Sequence, residues 1–203
     1  MPMALFSLFL AVFCIGTTEF MIAGLLPEIA SDLGVSIPTA GYLVTAYALG
    51  VALGGPIVTM LTSRFPRKPM ILLLMGVFVA GHVLGALATS YEMLMCARIA
   101  ISFTHGTFVG LAAIIAVSLV SDEKHGSAIA VVLAGFTVAN VLGAPGGTAV
   151  GNAWGWRATF WLVGGLGILS AIFMAICLPN EAGRAQTRSS LKDKVRVLGR
   201  QGC

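Results

Sequence analysis

Apolar residues run almost unbroken near positions 3–25, 39–62, 69–89, 92–119, 128–151 and 158–178, each run parted from the next by a short polar or turn-forming stretch. At 1.5 Å per residue each is long enough to cross about 30 Å of hydrocarbon as a helix. The pattern predicts an all-α membrane protein with six transmembrane helices and very short loops. The second and fifth runs both carry Gly and Pro in their second halves, Gly54-Gly55-Pro56 and Gly143-Ala-Pro145-Gly-Gly147. Each is followed by a loop mixing aromatics with Arg, Arg64-Phe-Pro-Arg67 and Trp154-Gly-Trp-Arg157. Helices one to three and four to six then read as a 3+3 repeat of inverted topology, a construction common in secondary transporters.

Composition narrows the class. Of 203 residues, 58% are hydrophobic without counting Gly and only 10% are charged. Soluble domains carry about 25% charged residues, so disorder, a soluble enzyme domain and a disulfide scaffold are excluded. Residues 1–178 form the six-helix body and residues 179–203 a polar tail. The net charge of +4 reflects topology rather than nucleic acid. Taken in alternate loops, Lys and Arg fall as Arg64, Arg67 and Lys68, then Lys124, then six in the tail on one side, against Arg157 alone on the other. The positive-inside rule places both termini in the cytoplasm. Cys14, Cys96, Cys177 and Cys203 are widely spaced and form no metal or disulfide pattern. No cofactor is implied. The N-terminal run has no Lys or Arg before it and no small-residue cleavage site, so it reads as a retained helix.

Small residues recur four apart at Gly50/Gly54, Gly81/Gly85, Gly106/Gly110 and Gly143/Gly147/Gly151. This spacing lets helix backbones approach closely where lipid provides no hydrophobic drive.

Charge at membrane depth is costly and points to function. Glu19 lies six residues, roughly 9 Å, before the predicted end of the first helix, and Arg98 about as far inside the fourth. They share one slice of the membrane. Alternation between paired and unpaired states would make Glu19 bind and release a proton; a permanent structural pair, or a Glu19 that caps loop backbone, is the plainer alternative. On the fourth helix Arg98, Ser102 and His105 form a polar stripe expected to face the bundle interior. His105 either relays protons, contacts substrate or bonds a neighbouring helix. Asn140 is near the predicted midplane, where it either lines a transporter's substrate site or hydrogen-bonds a neighbouring helix, and Tyr42, Thr45 and Tyr47 are weaker candidates on the second helix. His82 ranks lower. No nucleophile elbow, metal-binding helix or phosphate loop occurs in a supporting context, so the chain is not read as an enzyme. In the tail, Leu191, Val195 and Leu198 among Lys192, Lys194 and Arg196 suit either an interfacial helix or a solvated linker.

The run from Gly16 through Glu19 to Pro27-Glu28, the segment Thr62 to Lys68, Arg98 with Gly106, Gly143 to Gly151, and Gly155-Trp-Arg157-Ala-Thr-Phe160 resemble the major facilitator superfamily. More narrowly, the chain is similar to the drug:proton antiporter branch that includes exporters of the arabinose-efflux and chloramphenicol-resistance type. The resemblance implies a multi-pass protein of a bacterial inner membrane whose basic loop, here Arg64, Arg67 and Lys68, latches the cytoplasmic side. Thr59, Ser63 and Pro66 stand where that pattern has Gly, Asp and Gly. It implies proton coupling at Arg98, and a fifth-helix antiporter motif at Gly143, Pro145, Gly147 and Gly151 that lacks the Gly-Pro adjacency. Only the N-terminal six-helix half and the central linker are represented. The expected function is therefore half of a proton-coupled exporter of a small amphipathic molecule such as a drug, sugar or nucleoside. The alternative is a truncated remnant or half-size partner requiring a second six-helix half, its own or another. Expected partners are the bilayer, the substrate and the proton.

Overall fold

The computed structural model describes residues 2–180, so the tail segment singled out above lies outside the described residues. Six membrane-length apolar helices are present among them. Helix α1 spans Pro2–Asp32, α2 Ile37–Thr62, α3 Arg67–Ala86 and α4 Tyr91–Ser118. The fifth span is a composite of α5 (His125–Val138), a π-helical turn (Ala139–Gly143) and α6 (Ala144–Trp154), and α7 (Trp156–Cys177) is the sixth.

The helix ends follow from local chemistry. Ser36 accepts from the Thr39 N–H at 3.2 Å and Ser90 from the Met93 N–H at 3.3 Å, capping α2 and α4. Helix α1 continues to Asp32, seven residues past the expected end of its apolar run. Pro27 removes only one backbone donor, and the helix stops where Gly34, at φ +65°, permits the Val35 N–H to reach back to Ala30 O at 3.0 Å. Glu19 is thus 13 residues, about 20 Å, from that end, not roughly 9 Å. The fifth span likewise begins earlier than expected, because the polar run Asp122–Lys124 already forms a helical turn leading into His125.

Helix α1 packs against α2, α4, α5, α6 and α7. Exchanging α1 with α4, α2 with the α5–α6 rod, and α3 with α7 maps the α2–α4 contact onto α1–α5. It also maps α3–α4 onto α1–α7 and α1–α2 onto α4–α5, while α3–α7 maps onto itself. The inverted repeat is therefore visible in the packing. The glycines seat these contacts. A Cβ on Gly106 would lie 3.0 Å from the Gly55 Cα, and one on Gly135 would lie 2.7 Å from the Phe9 carbonyl oxygen. Gly143, Gly147 and Gly151 abut Thr17, Met21 and Leu25 in turn, a close seam along α1. Gly110 meets nothing within 4 Å, so its pairing with Gly106 does not extend the α2 seam.

Candidate functional site

A polar cluster crosses the bundle where α1, α2, α3 and α4 converge. Arg98 and His105, two turns apart on α4, are both buried, as is Ser102 between them. The Arg98 Nη1 donates to the Thr18 carbonyl at 2.9 Å and approaches Thr18 Oγ1 at 3.4 Å. Its Cζ lies 4.0 Å from the centroid of the Tyr47 ring, a cation–π contact in a site without water-exposed surface. Nε and Nη2 of Arg98 have no hydrogen-bond partner among the described residues.

Two histidines flank this group. His82 Nδ1 is 2.8 Å from Phe78 O; a carbonyl only accepts, so Nδ1 carries the hydrogen and Nε2 accepts from the Thr18 hydroxyl at 2.9 Å. The Thr18 hydroxyl therefore donates a hydrogen bond to His82, and its carbonyl and hydroxyl oxygens face Arg98. On the other flank His105 Nδ1 is 3.0 Å from the Tyr47 hydroxyl, and its ring stacks on Phe136 of α5 at 5.4 Å. Its Nε2 faces Glu19 Oε2 at 3.9 Å. The Glu19 carboxyl thus faces His105 without a hydrogen bond, while the Arg98 guanidinium is turned onto Thr18 and the Tyr47 ring. Of these groups Glu19 alone is open to the surface, with 36% of its side chain exposed against 8% for His105.

The remaining sequence candidates are dispersed. Ser102 donates to Ile99 O at 2.7 Å within its own helix and abuts Gly50, outside the network. Tyr42 is 62% exposed, well removed in sequence and turned away from the core. Asn140 is exposed on the π turn. That turn forms where Pro145 cannot donate: the Ala144 N–H bonds Ala139 O five residues back. In the basic loop Arg64 is exposed and Arg67 lines a cavity of about 250 Å³ with Thr59, Phe65 and Thr107. Lys68 instead turns onto the end of α7, donating to Leu178 O and to Asn180 Oδ1 at 3.0 Å. A cation on a helix N-terminus is electrostatically unfavourable, and a partner at another helix's C-terminus offsets that.

At the opposite end Arg157 ties three elements together. Its Nη1 pairs with Asp32 at 2.6 Å, its Nε and Nη2 donate to Ala88 O at 3.2 and 2.7 Å, and its Cζ lies 4.2 Å from the Trp156 ring centroid. Asp32 also accepts from Trp156 Nε1 at 3.1 Å, and Glu28 from the Trp156 backbone N–H at 3.2 Å. These carboxylates line a cleft of about 380 Å³. Sequence reasoning missed Asp32, Thr18 and the Tyr47 link. The signal available was an acid at the end of α1 and Arg157 at the same end of the bundle. Among the described residues no group of three or more His, Cys, Asp or Glu is placed to hold a metal ion.

Six apolar helices in an inverted repeat, with ionisable residues clustered at membrane depth, define a helical membrane transporter architecture. The family model described as Major Facilitator Superfamily matches residues 8–201, and the chain belongs to that family. It is 43% identical over 196 residues to the inner membrane transport protein YdhP of Escherichia coli, covering 97% of this chain and 50% of that protein. With a chloramphenicol resistance protein of Streptomyces lividans it shares 42% identity over 197 residues, 97% of this chain and 50% of the relative. A crystal structure of the peptide transporter POT superposes with a TM-score of 0.79 at 18% identity, over 98% of this chain and 44% of that one, showing the same fold. The chain matches an N-terminal half and spans about half the length of the curated relatives it resembles.

Proposed function

We propose that this chain forms one six-helix half of a proton-coupled exporter of a small amphipathic molecule in a bacterial inner membrane, with Glu19 as the proton-binding group. The supporting observation is the Glu19 carboxylate itself: half-open to the surface, yet facing His105 beside the buried Arg98, all at membrane depth. An ionisable group so placed is costly and suits a group that changes charge during transport. Arg98 supplies a fixed positive field that favours the ionised carboxyl; burial favours the protonated one. The partly exposed Glu19 and the exposed Asn140 on the π turn are the candidate substrate contacts. Arg64 and Arg67 remain the candidates for the cytoplasmic latch, and Gly143, Pro145, Gly147 and Gly151 shape the span that carries Asn140.

The test is proton-driven flux of chloramphenicol, the compound in the name of one relative, in proteoliposomes holding the chain. Glu19→Gln is expected to abolish dependence on the proton gradient; full coupled transport in that variant refutes the assignment. A second reading, a half active only alongside another six-helix half, is favoured by the 50% coverage of the relatives. It predicts no flux from the chain alone and flux on co-reconstitution with the remaining half of YdhP.

A further inference from the structure

We propose that the Glu19 carboxyl has two seats, His105 when protonated and the free edge of Arg98 when ionised, which makes His105 a second coupling residue. The inference rests on the reading of Glu19 as the proton-binding group. Three observations carry it. First, Glu19 Oε2 stands 3.9 Å from His105 Nε2, too long for a hydrogen bond and closed by a small side-chain rotation. Second, His105 Nδ1 faces a hydroxyl, Tyr47 at 3.0 Å, which donates or accepts equally well. With Nδ1–H donating to Tyr47, Nε2 offers a lone pair to the O–H of a protonated Glu19. Third, the Arg98 side chain is fully buried with Nε and Nη2 unpaired. Those two N–H groups form one edge of the guanidinium and match the two oxygens of an ionised carboxylate.

Tyr47 joins the seats, its ring under Arg98 and its hydroxyl at His105. The titratable groups around Glu19 are His105 and Arg98 of α4 and Tyr47 of α2; Phe136 of α5 stacks on His105, and His82 of α3 is engaged by Thr18. The step is simple in atoms: the Glu19 O–H breaks, its proton leaves to water at the open face, and the carboxylate moves from His105 to Arg98. Reversal needs one proton and nothing else.

Infrared difference spectra of the chain in lipid nanodiscs, taken across a pH titration, test this. The expected protonated-carboxyl band, lost in Glu19→Gln, sits at a hydrogen-bonded frequency. His105→Leu shifts it to the free-carboxyl frequency and His105→Gln, whose amide oxygen accepts, restores it. Arg98→Gln shifts the ionised-carboxylate band and leaves the protonated one in place. An unchanged carboxyl band in His105→Leu, or an unchanged carboxylate band in Arg98→Gln, overturns the two-seat proposal while leaving Glu19 as the proton site. Absence of any Glu19→Gln-sensitive band overturns the underlying reading. Should His105→Leu fail to fold, nitrogen NMR of the unsubstituted chain decides, with the His105 signal assigned by its loss in His105→Gln: the unprotonated Nε2 must change between a hydrogen-bonded and a free lone pair across the titration, and a constant shift overturns the proposal.

Discussion

Gly135→Ala is the sharpest probe of how the bundle holds its site. On α5, a Cβ added at position 135 would sit 2.7 Å from the Phe9 carbonyl oxygen and 2.9 Å from the Phe13 nitrogen. Both are backbone atoms of α1, so no side chain can rotate away, and the two helices must part by several tenths of an ångström. Overpacking of this kind costs about 1–3 kcal/mol. For a chain of this size that is roughly 2–12 °C in unfolding temperature, at about 2–4 °C per kcal/mol. The neighbouring residue, Phe136, stacks on His105 at 5.4 Å, so the displacement also reaches the polar cluster. Thermal unfolding in nanodiscs measures the first effect, and the infrared carboxyl band of Glu19 the second. Gly110→Ala is the control, since nothing lies within 4 Å of its added Cβ. Equal stability of Gly135→Ala and the unsubstituted chain would refute the claim that α1 and α5 touch backbone to backbone there.

Two further outcomes follow from single side chains. Arg157→Lys cannot hold Asp32 and Ala88 O together, since a lysine lacks the planar fork; the half-exposed ion pair contributes at most about 1 kcal/mol and the charged bonds to the carbonyl about 1.5–3 kcal/mol, so losing one of the two costs up to about 3 kcal/mol by the same unfolding assay. Thr18→Val removes the donor to His82 and an acceptor for Arg98, with an expected cost of about 1–3 kcal/mol, whereas Thr18→Ser keeps both bonds and should match the unsubstituted chain.

The number of spans and their repeat were legible in the chain because apolar length and paired Gly-Pro signals are properties of the linear string. So was the Gly143-Gly147-Gly151 seam, since four-residue spacing alone puts these glycines on one face, and that face meets α1. The end of α1 was not legible, because Pro27 and Glu28 interrupt the apolar run although the backbone continues to Asp32. The stripe of Arg98, Ser102 and His105 was correctly expected to be buried. Which partner each would meet depends on the rotation of one helix against another, and no spacing rule encodes that angle. Glu19 therefore appeared as the mate of Arg98 on depth alone, while interhelical geometry gives it His105 and gives Arg98 to Thr18 and Tyr47. Lys68 reads in sequence as part of the latch loop with Arg64 and Arg67, and only the return of α7 to the same end supplies its Leu178 carbonyl.

The bundle is stitched at both faces of the membrane, by Arg157 across α1, α7 and the Ala88 turn and by Lys68 from α3 to the last turn beyond α7. Of the six spans, α1, α3 and α7 are the ones these side chains fasten to one another. Both clamps involve the α7 end of the chain, so a shear of α7 along α1 or α3 has to break one of them first.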